Sequence, residues 1–500
     1  MADLIAARRP FVDAQWLTGA GGELAVSSPA TEEVVASVEA ASPAQTESAV
    51  LAARRAFDVG PWPTQTSSER VAAVLRLADA LEARRAALVE TVIQEAGCPR
   101  GVTEFAQVGM ALQSIRELCE LYGRMPPWEH NEAPLADHLV GSNVRLSIRR
   151  FEPAGVVAAI TPYNFPFVTN VWKVVPALLA GCTVVLRPSP LTPLEAIVFG
   201  EAAEEADLPK GVLNVVPETG SEGGELLTTH PAVDVVSFTG STEVGRTIAA
   251  QAAPSLKRVI LELGGKSAQL HLPDTFEGGG LGQVMPAAMT VFASHAGQGC
   301  SLQTRLLVPE SKRAEVIDAL APAVAGLPIG DPSDPANLIG PLISAAQRDR
   351  VDGIVSDAIA SDAKLVTGGR RPPQLERGWF YEPTLLDARS PDNPAAAREI
   401  FGPVVTVLGY RDVEEAISIA NHSEFGLSSG IYTGDLALGL SVAERMRSGT
   451  VQINTAWASG YTPMGGYKQS GYGRERGAAG IRAFQELKHV VVGGFTPQGR

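Results

Sequence analysis

The segment from 156 to 263 does most to constrain the fold. Short apolar runs recur there in order: Val156 to Ile160, Thr183 to Leu186, Val212 to Val216, Val233 to Phe238 and Arg258 to Leu263. Helix-like stretches lie between them, such as Val168 to Ala180 and Pro193 to Ala206. A strand covered on both faces reads as a continuous apolar run. Strands alternating with helices imply crossover connections, so this segment predicts βαβ units and a parallel sheet. Such sheets bind ligands beyond the carboxyl ends of their strands. The residues that end or follow the runs are therefore the first site candidates: Ile160 with Thr161-Pro162-Tyr163-Asn164, Arg187-Pro188-Ser189, Thr239-Gly240-Ser241, and Glu262.

The flanking regions read differently. From about 43 to 123 the pattern is helical, with Val71, Val74, Ala78 and Leu81 at helix spacing and Arg70, Arg76, Asp79 and Glu82 on other faces. Residues 124–142 are Pro-rich and read as an irregular connection. Val144 to Arg149 then alternates apolar and polar, as a half-exposed strand would. After 265 a second α/β region begins. It has strands at Arg305 to Val308 and Val404 to Leu408, helices around 311–326 and 344–360, and a helix capped by Asp412 that reaches about Ala420. A chain of 500 residues exceeds one core, and typical domain size suggests about three domains.

The net charge of -14 argues against nucleic acid as a partner, because phosphate contacts need clustered Lys and Arg. No apolar stretch is long enough to span a bilayer. The N-terminal residues place their charge after a short apolar patch, the wrong order for a secretory signal, so a cytoplasmic protein is expected. Cys98, Cys119, Cys182 and Cys300 show no CxxC spacing and read as reduced thiols. The seven histidines form no paired ligand spacing, and no metal site is expected.

Several motifs offer chemistry. Phe238 to Gly245 reads as a strand, a glycine turn and a helix start, where Ser241 or Thr242 can cap the helix and its free N–H groups favour an anion. The GxGxxG fingerprint is absent. Gly265-Lys266-Ser267 lacks the earlier glycine of a phosphate loop, since Ile260 stands there. Gly426 to Gly430 matches a nucleophile elbow, but with strand and helix in reversed order. Cys98, Cys119 and Cys182 sit in apolar surroundings and read as buried small hydrophobes. Cys300 differs, lying beside Gly297, Gly299 and polar neighbours, where backbone N–H groups can approach a reacting atom. His295, five residues away, need not pair with it. Glu262 ends an apolar run beside Gly264 and Gly265, where a base could handle water.

Taken together, Thr161 to Pro166, Phe238 to Ser241, Glu262 to Lys266, Gly297 to Cys300, Glu399 to Pro403 and Pro463 to Gly471 resemble the aldehyde dehydrogenase superfamily, over roughly Pro29 to His489. The resemblance implies an α/β fold: a Rossmann-like parallel-sheet cofactor domain (1–139 and 156–265), a second α/β catalytic domain (266–470) and a small β oligomerisation element (140–155 and 471–500). It implies an NAD(P)-dependent, hydrolytic enzyme that does not acylate coenzyme A. Cys300 would attack the aldehyde, Asn164 and the Cys300 N–H would hold the oxyanion, and Glu262 would activate water against the resulting thioester. Lys173 and Glu475 would handle protons behind the base. Ile160, Thr161, Pro162, Tyr163, Gly240, Gly245, Leu263 and Gly264 would line the cofactor site. Within it Ser241 would meet the pyrophosphate, Arg187 and Ser189 the adenosine ribose, and Glu399 and Phe401 the nicotinamide end. A homodimer or homotetramer is implied.

The chain departs from the common family pattern at four positions. Tyr163 replaces a frequent tryptophan, Arg187 a frequent lysine, Pro190 a frequent glutamate and Met464 a frequent phenylalanine. Losing the glutamate removes repulsion against a 2′-phosphate and Arg187 adds positive charge, so NAD is expected with NADP left open. Met464 suggests a looser substrate mouth. Phe165, Trp172, Trp457 and Tyr461 could line an apolar tunnel for aromatic or medium-chain aldehydes, or could pack the core. No arginine placement announces a carboxylated substrate. The alternative from a different class is a cofactor-independent cysteine thioesterase or hydrolase using the same thiol.

Overall fold

The computed structural model describes residues 8–132, 144–277, 281, 284–456 and 458–493. Five of the predicted runs form the parallel centre of one sheet, in the order Leu213–Val215, Thr183–Arg187, Val156–Ile160, Val235–Thr239, Arg258–Glu262. The antiparallel strands Phe11–Val12 and Gln15–Trp16 extend one edge, and Gly471–Tyr472 the other. All five residues of Val156–Ile160 are buried. Val157 and Ala159 pack into one apolar core; Val156, Ala158 and Ile160 pack into another on the opposite face. The parallel strands start in the middle of this sheet with Val156–Ile160, wind to one side, then return to wind the other way. Its topological switch point therefore lies between Val156–Ile160 and Val235–Thr239.

Helices cover both faces. Ser67–Ala83, Met110–Arg124, Pro166–Ala180 and Leu194–Glu205 supply one core; Pro43–Asp58, Glu222–Thr229 and Thr242–Ala252 supply the other. Val74, Ala78 and Leu81 are buried as their spacing predicts. Arg70 is buried too, contrary to its expected outer face, because its Nε donates to the Leu179 carbonyl at 2.9 Å.

A second sheet runs Lys364–Thr367, Thr384–Asp387, Val404–Tyr410, Arg305–Pro309, Ala268–His271, Ser428–Tyr432, Thr450–Ile453, parallel except for its first strand. Arg313–Ala325, Ala345–Ser361 and Val413–Asn421 are the expected helices, and the Asp412 carboxylate accepts the Glu415 N–H at 2.9 Å as a cap.

Val144–Pro153 and Gln485–Gly493 pair antiparallel, and Trp128–His130 adds a third strand. Two expectations change here. Trp128–His130 falls within the stretch read as an irregular connection, yet it is a strand; much of the rest of 124–142 lies outside the described residues. The ribbon also begins at Gln485 rather than 471. Gly471 instead lies against the first sheet with φ 105°, where a Cβ would come within 2.1 Å of the Leu261 carbonyl oxygen, so only glycine lets this strand dock. Among the described residues no helix is long and apolar enough to cross a membrane.

Candidate active site

Cys300 follows a turn in which His295, Ala296 and Gly297 have φ of 51°, 50° and 74°. For His295 and Ala296 this is sparsely populated backbone, held only because the surroundings fix it. Gln298, wholly buried, is one clamp: its side-chain oxygen accepts the Ile343 N–H at 3.0 Å and its amide donates to the His295 carbonyl at 3.2 Å. Gly297 lies so close to Gly402 that a Cβ would stand 2.0 Å from that carbonyl oxygen. From below, Gly265 brings the end of the first sheet against the nucleophile: a Cβ there would meet the Cys300 carbonyl oxygen at 2.1 Å. Gly265 thus serves close backbone approach, while Gly264 makes room for the Glu399 carboxylate.

Asn164 is buried, and its amide donates one N–H to the Gln298 carbonyl at 2.7 Å. An amide carries two N–H donors, so one remains. Gln107 fixes this residue from behind, donating to the Asn164 carbonyl at 2.9 Å. It belongs to the π-helix Thr103–Gly109, a distortion often found at functional sites. The helical pattern of the sequence does not mark it.

Glu262 is 2% exposed, and neither carboxylate oxygen has a hydrogen-bond partner among the described residues. Burial holds its carboxyl well above the usual carboxylate range, and the nearby charge of Glu475 pushes the same way; Lys173, Arg474 and Arg476 oppose it. Lys173 is itself wholly buried, ion-paired to Glu475 and donating to the Ser237 hydroxyl at 3.1 Å. The Cys300 thiol is pushed up to about 12 by burial, with Glu399 and Glu262 adding to the effect. Cys300 therefore rests as a thiol, with the Glu262 carboxyl bordering the same space.

That space is a cavity of ≈ 1160 Å³. It reaches from Cys300, Glu262 and Asn164, past Pro162, Tyr163, Leu263, Gly264, Glu399 and Phe401, to Gly240 and Ser241 at the switch point. The helix Thr242–Ala252 opens onto it. The Ser241 hydroxyl accepts the Val244 N–H at 3.3 Å, leaving other first-turn donors for an anion. Cβ atoms at Gly240 and Gly264 would meet Phe238 and Glu399 at 2.4 and 2.5 Å, so these two glycines keep the floor of the cleft low, while Gly245, which does not line the cavity, lets its helix pack against Leu263. Phe401, at φ 59°, presents its ring edge-on to Tyr163 at 6.1 Å. Glu399 accepts the Gly265 N–H at 2.9 Å. Size, anion-binding helix start and glycine floor all fit a dinucleotide.

The adenosine end departs from expectation. Ile160 and Thr161 are buried at the strand's end, where the Thr161 N–H meets the Arg187 carbonyl at 3.1 Å. Arg187 is not a free cation. Its Nε donates to Glu218 at 2.8 Å and its Nη2 to the Gly220 carbonyl at 2.6 Å. Glu218 also accepts the Gly223 N–H at 2.8 Å. Ser189 is buried, its hydroxyl accepting the Leu191 N–H at 3.2 Å. Nothing in the sequence spacing ties Glu218 to Arg187, 31 positions earlier.

Beyond Cys300 lies a second cavity of ≈ 460 Å³, bordered by Ser301, Gln303, Thr455, Met464 and Arg476 among others. The aromatic tunnel expected there is not what borders it. Phe165 packs on the helical core and meets the His295 ring edge-on at 5.9 Å. Trp172 packs on the same core under the Arg476 guanidinium. Tyr461 is 38% exposed and hydrogen-bonded to Glu120. Both Phe165 and Trp172 sit on or beside Pro166–Ala180, whose apolar residues the first core claims. Trp457 lies outside the described residues.

A model of the aldehyde dehydrogenase family matches residues 16–490. Geranial dehydrogenase of Castellaniella defragrans is 38% identical, over 96% of this chain and 98% of its own. Two solved structures are similar throughout. One is aldehyde dehydrogenase C of Pseudomonas syringae, a cysteine-to-alanine mutant complexed with NAD+ and octanal: TM-score 0.90, 36% identity, 99% of this chain and 98% of that one. The other is a Mycobacterium tuberculosis aldehyde dehydrogenase complexed with NAD+: TM-score 0.92, 38% identity, 98% and 99% covered.

Proposed function

The chain belongs to the aldehyde dehydrogenase family and oxidises an aldehyde with NAD(P)+ as acceptor, and from that premise we propose how its own residues divide the work. The observation that carries the proposal is a buried, unpartnered Glu262 carboxylate bordering the same cavity as Cys300. Cys300 is the nucleophile. Its proton leaves to Glu262, whose raised affinity suits it to take one, and passes from there to solvent water, so that the carboxylate is free again. The sulfur bonds to the carbonyl carbon. The second N–H of Asn164 and the Cys300 backbone N–H hold the developing oxyanion. The bound nicotinamide supplies the hydride acceptor. What remains on Cys300 is a thioester. Glu262 takes a proton from water, the hydroxide adds to the acyl carbon, and the carboxylic acid leaves as the thiol is restored. Lys173 and Glu475 form an ion pair behind the base that keeps its neighbourhood near neutral.

A cofactor-independent cysteine hydrolase is not favoured, since the family and its NAD+-bound relatives are dehydrogenases. The Arg187–Glu218 pair supports NAD over NADP: the cation is already neutralised and the added carboxylate would repel a 2′-phosphate. The catalytic domain and cofactor domain divide near 265, between the Arg258–Glu262 strand of the first sheet and the Ala268–His271 strand of the second. The ribbon Val144–Pro153 with Gln485–Gly493 supports a homodimer or homotetramer, and the whole is read as cytoplasmic. Rapid mixing with hexanal and NAD+ tests the catalytic assignment. Glu262→Gln is expected to give one equivalent of reduced nicotinamide as a burst, then slow turnover; Cys300→Ala gives no burst. Steady turnover by Glu262→Gln at the parent rate would refute the base.

A further inference from the structure

The catalytic assignment leaves one charged group at the site unexplained. Arg476 is 5% exposed and has φ 58°. It borders the ≈ 460 Å³ cavity beyond Cys300, and of the described residues around that cavity it alone carries a charge; the others are aliphatic, thioether, hydroxyl, amide or tyrosine side chains. Its guanidinium lies 4.6 Å from the Trp172 ring centroid. Nη1 reaches the Ser459 carbonyl only at 3.5 Å, and Nε is buried without any hydrogen-bond partner among the described residues. Of the neighbouring carboxylates, Glu475 pairs with Lys173 and Glu117 accepts the Gly460 N–H at 2.5 Å, while Glu262 faces the same guanidinium without a hydrogen bond to it. A buried guanidinium with an idle donor costs free energy that a matching anion would offset.

Resting on the catalytic reading above, we propose that Arg476 is a specificity residue selecting aldehydes that carry a carboxylate at the end remote from the carbonyl. The substrate carbonyl sits at Cys300, the chain runs through the neutral cavity, and the terminal carboxylate meets the Arg476 N–H donors. One guanidinium balances one negative charge, which suits a carboxylate better than a doubly charged phosphate; the planar fork matches both oxygens of the group. The sequence hid this. Arg476 lies among other charged residues in Arg474-Glu475-Arg476, and only the fold turns it toward the cavity.

The test compares the semialdehyde of adipic acid with hexanal, a neutral aldehyde of equal chain length, using NAD+ and the full-length enzyme. The wild type is expected to favour the semialdehyde in kcat/KM by about tenfold to hundredfold, the range of a hydrogen bond to a charged group. Arg476→Gln should bring the ratio close to one, and Arg476→Lys should restore part of it. Binding of adipate against hexanoate, by calorimetry on the NAD+-loaded protein, reports the same preference without turnover. A wild type that oxidises hexanal but prefers neither aldehyde overturns this proposal and leaves the catalytic assignment standing. Equal losses with both aldehydes in Arg476→Gln overturn it in favour of an electrostatic role toward Glu262. If neither aldehyde is oxidised, the catalytic reading fails, and adipate binding no tighter than hexanoate then overturns this proposal too.

Discussion

At the scale of single residues, the site works through burial set against charge. Glu262 is pushed toward its protonated form, so its active carboxylate grows as pH rises through the raised value. Turnover limited by deacylation should therefore climb with pH above the usual carboxylate range, and Glu262→Gln should flatten that limb; a pH–rate profile of the steady-state phase decides it. The proposed part of the Arg187–Glu218 pair in coenzyme choice is tested by removing its charge. Glu218→Gln leaves Arg187 without its carboxylate, and the ratio of kcat/KM for NADP to that for NAD is expected to rise about tenfold. An unchanged ratio would show that the pair does not face the coenzyme.

At the scale of elements, glycines set how near the two sheets come. The Arg258–Glu262 strand ends in Leu263-Gly264-Gly265, and Gly265 lets the Cys300 carbonyl close to a distance no side chain tolerates. The obstructing atom is backbone, so Gly265→Ala must move the nucleophile rather than a rotamer. Misplacement by about 1 Å costs about a hundredfold in rate. Gly265→Ala is thus expected to lower kcat by about that factor, with a stability loss of about 1–3 kcal/mol on thermal unfolding. The same reasoning explains the strained His295-Ala296-Gly297 turn, which is held by Gln298 and by the Gly402 carbonyl rather than by its own preferences.

At the scale of the whole molecule, the three-stranded ribbon stands out. Leu487 and Val491 are 59% and 50% exposed on one face of it, and Val492 and Trp128 are 45% and 43% exposed on the other, apolar side chains that a lone chain would leave in water. The double substitution Leu487→Asp with Val491→Asp is expected to shift the protein to a monomer on sizing chromatography, leaving the two sheet cores folded by circular dichroism. A wild type that already elutes as a monomer would remove the ribbon as an interface.

The sequence alone determined the parallel sheet and the second α/β unit, and it singled out Cys300, Glu262 and Asn164, which the fold brings to one cavity. Buried strands advertise themselves as unbroken apolar runs, and reactive residues at their ends follow from topology. Local periodicity carries no information about what meets across long sequence separation. Only the fold closed Glu218 onto Arg187, docked Gly471–Tyr472 beside Glu262, drew Phe165 and Trp172 into the helical core, and set Arg476 at the second cavity. Each of those outcomes depends on packing between segments distant in the chain, where charge, volume and backbone clearance are settled jointly rather than residue by residue.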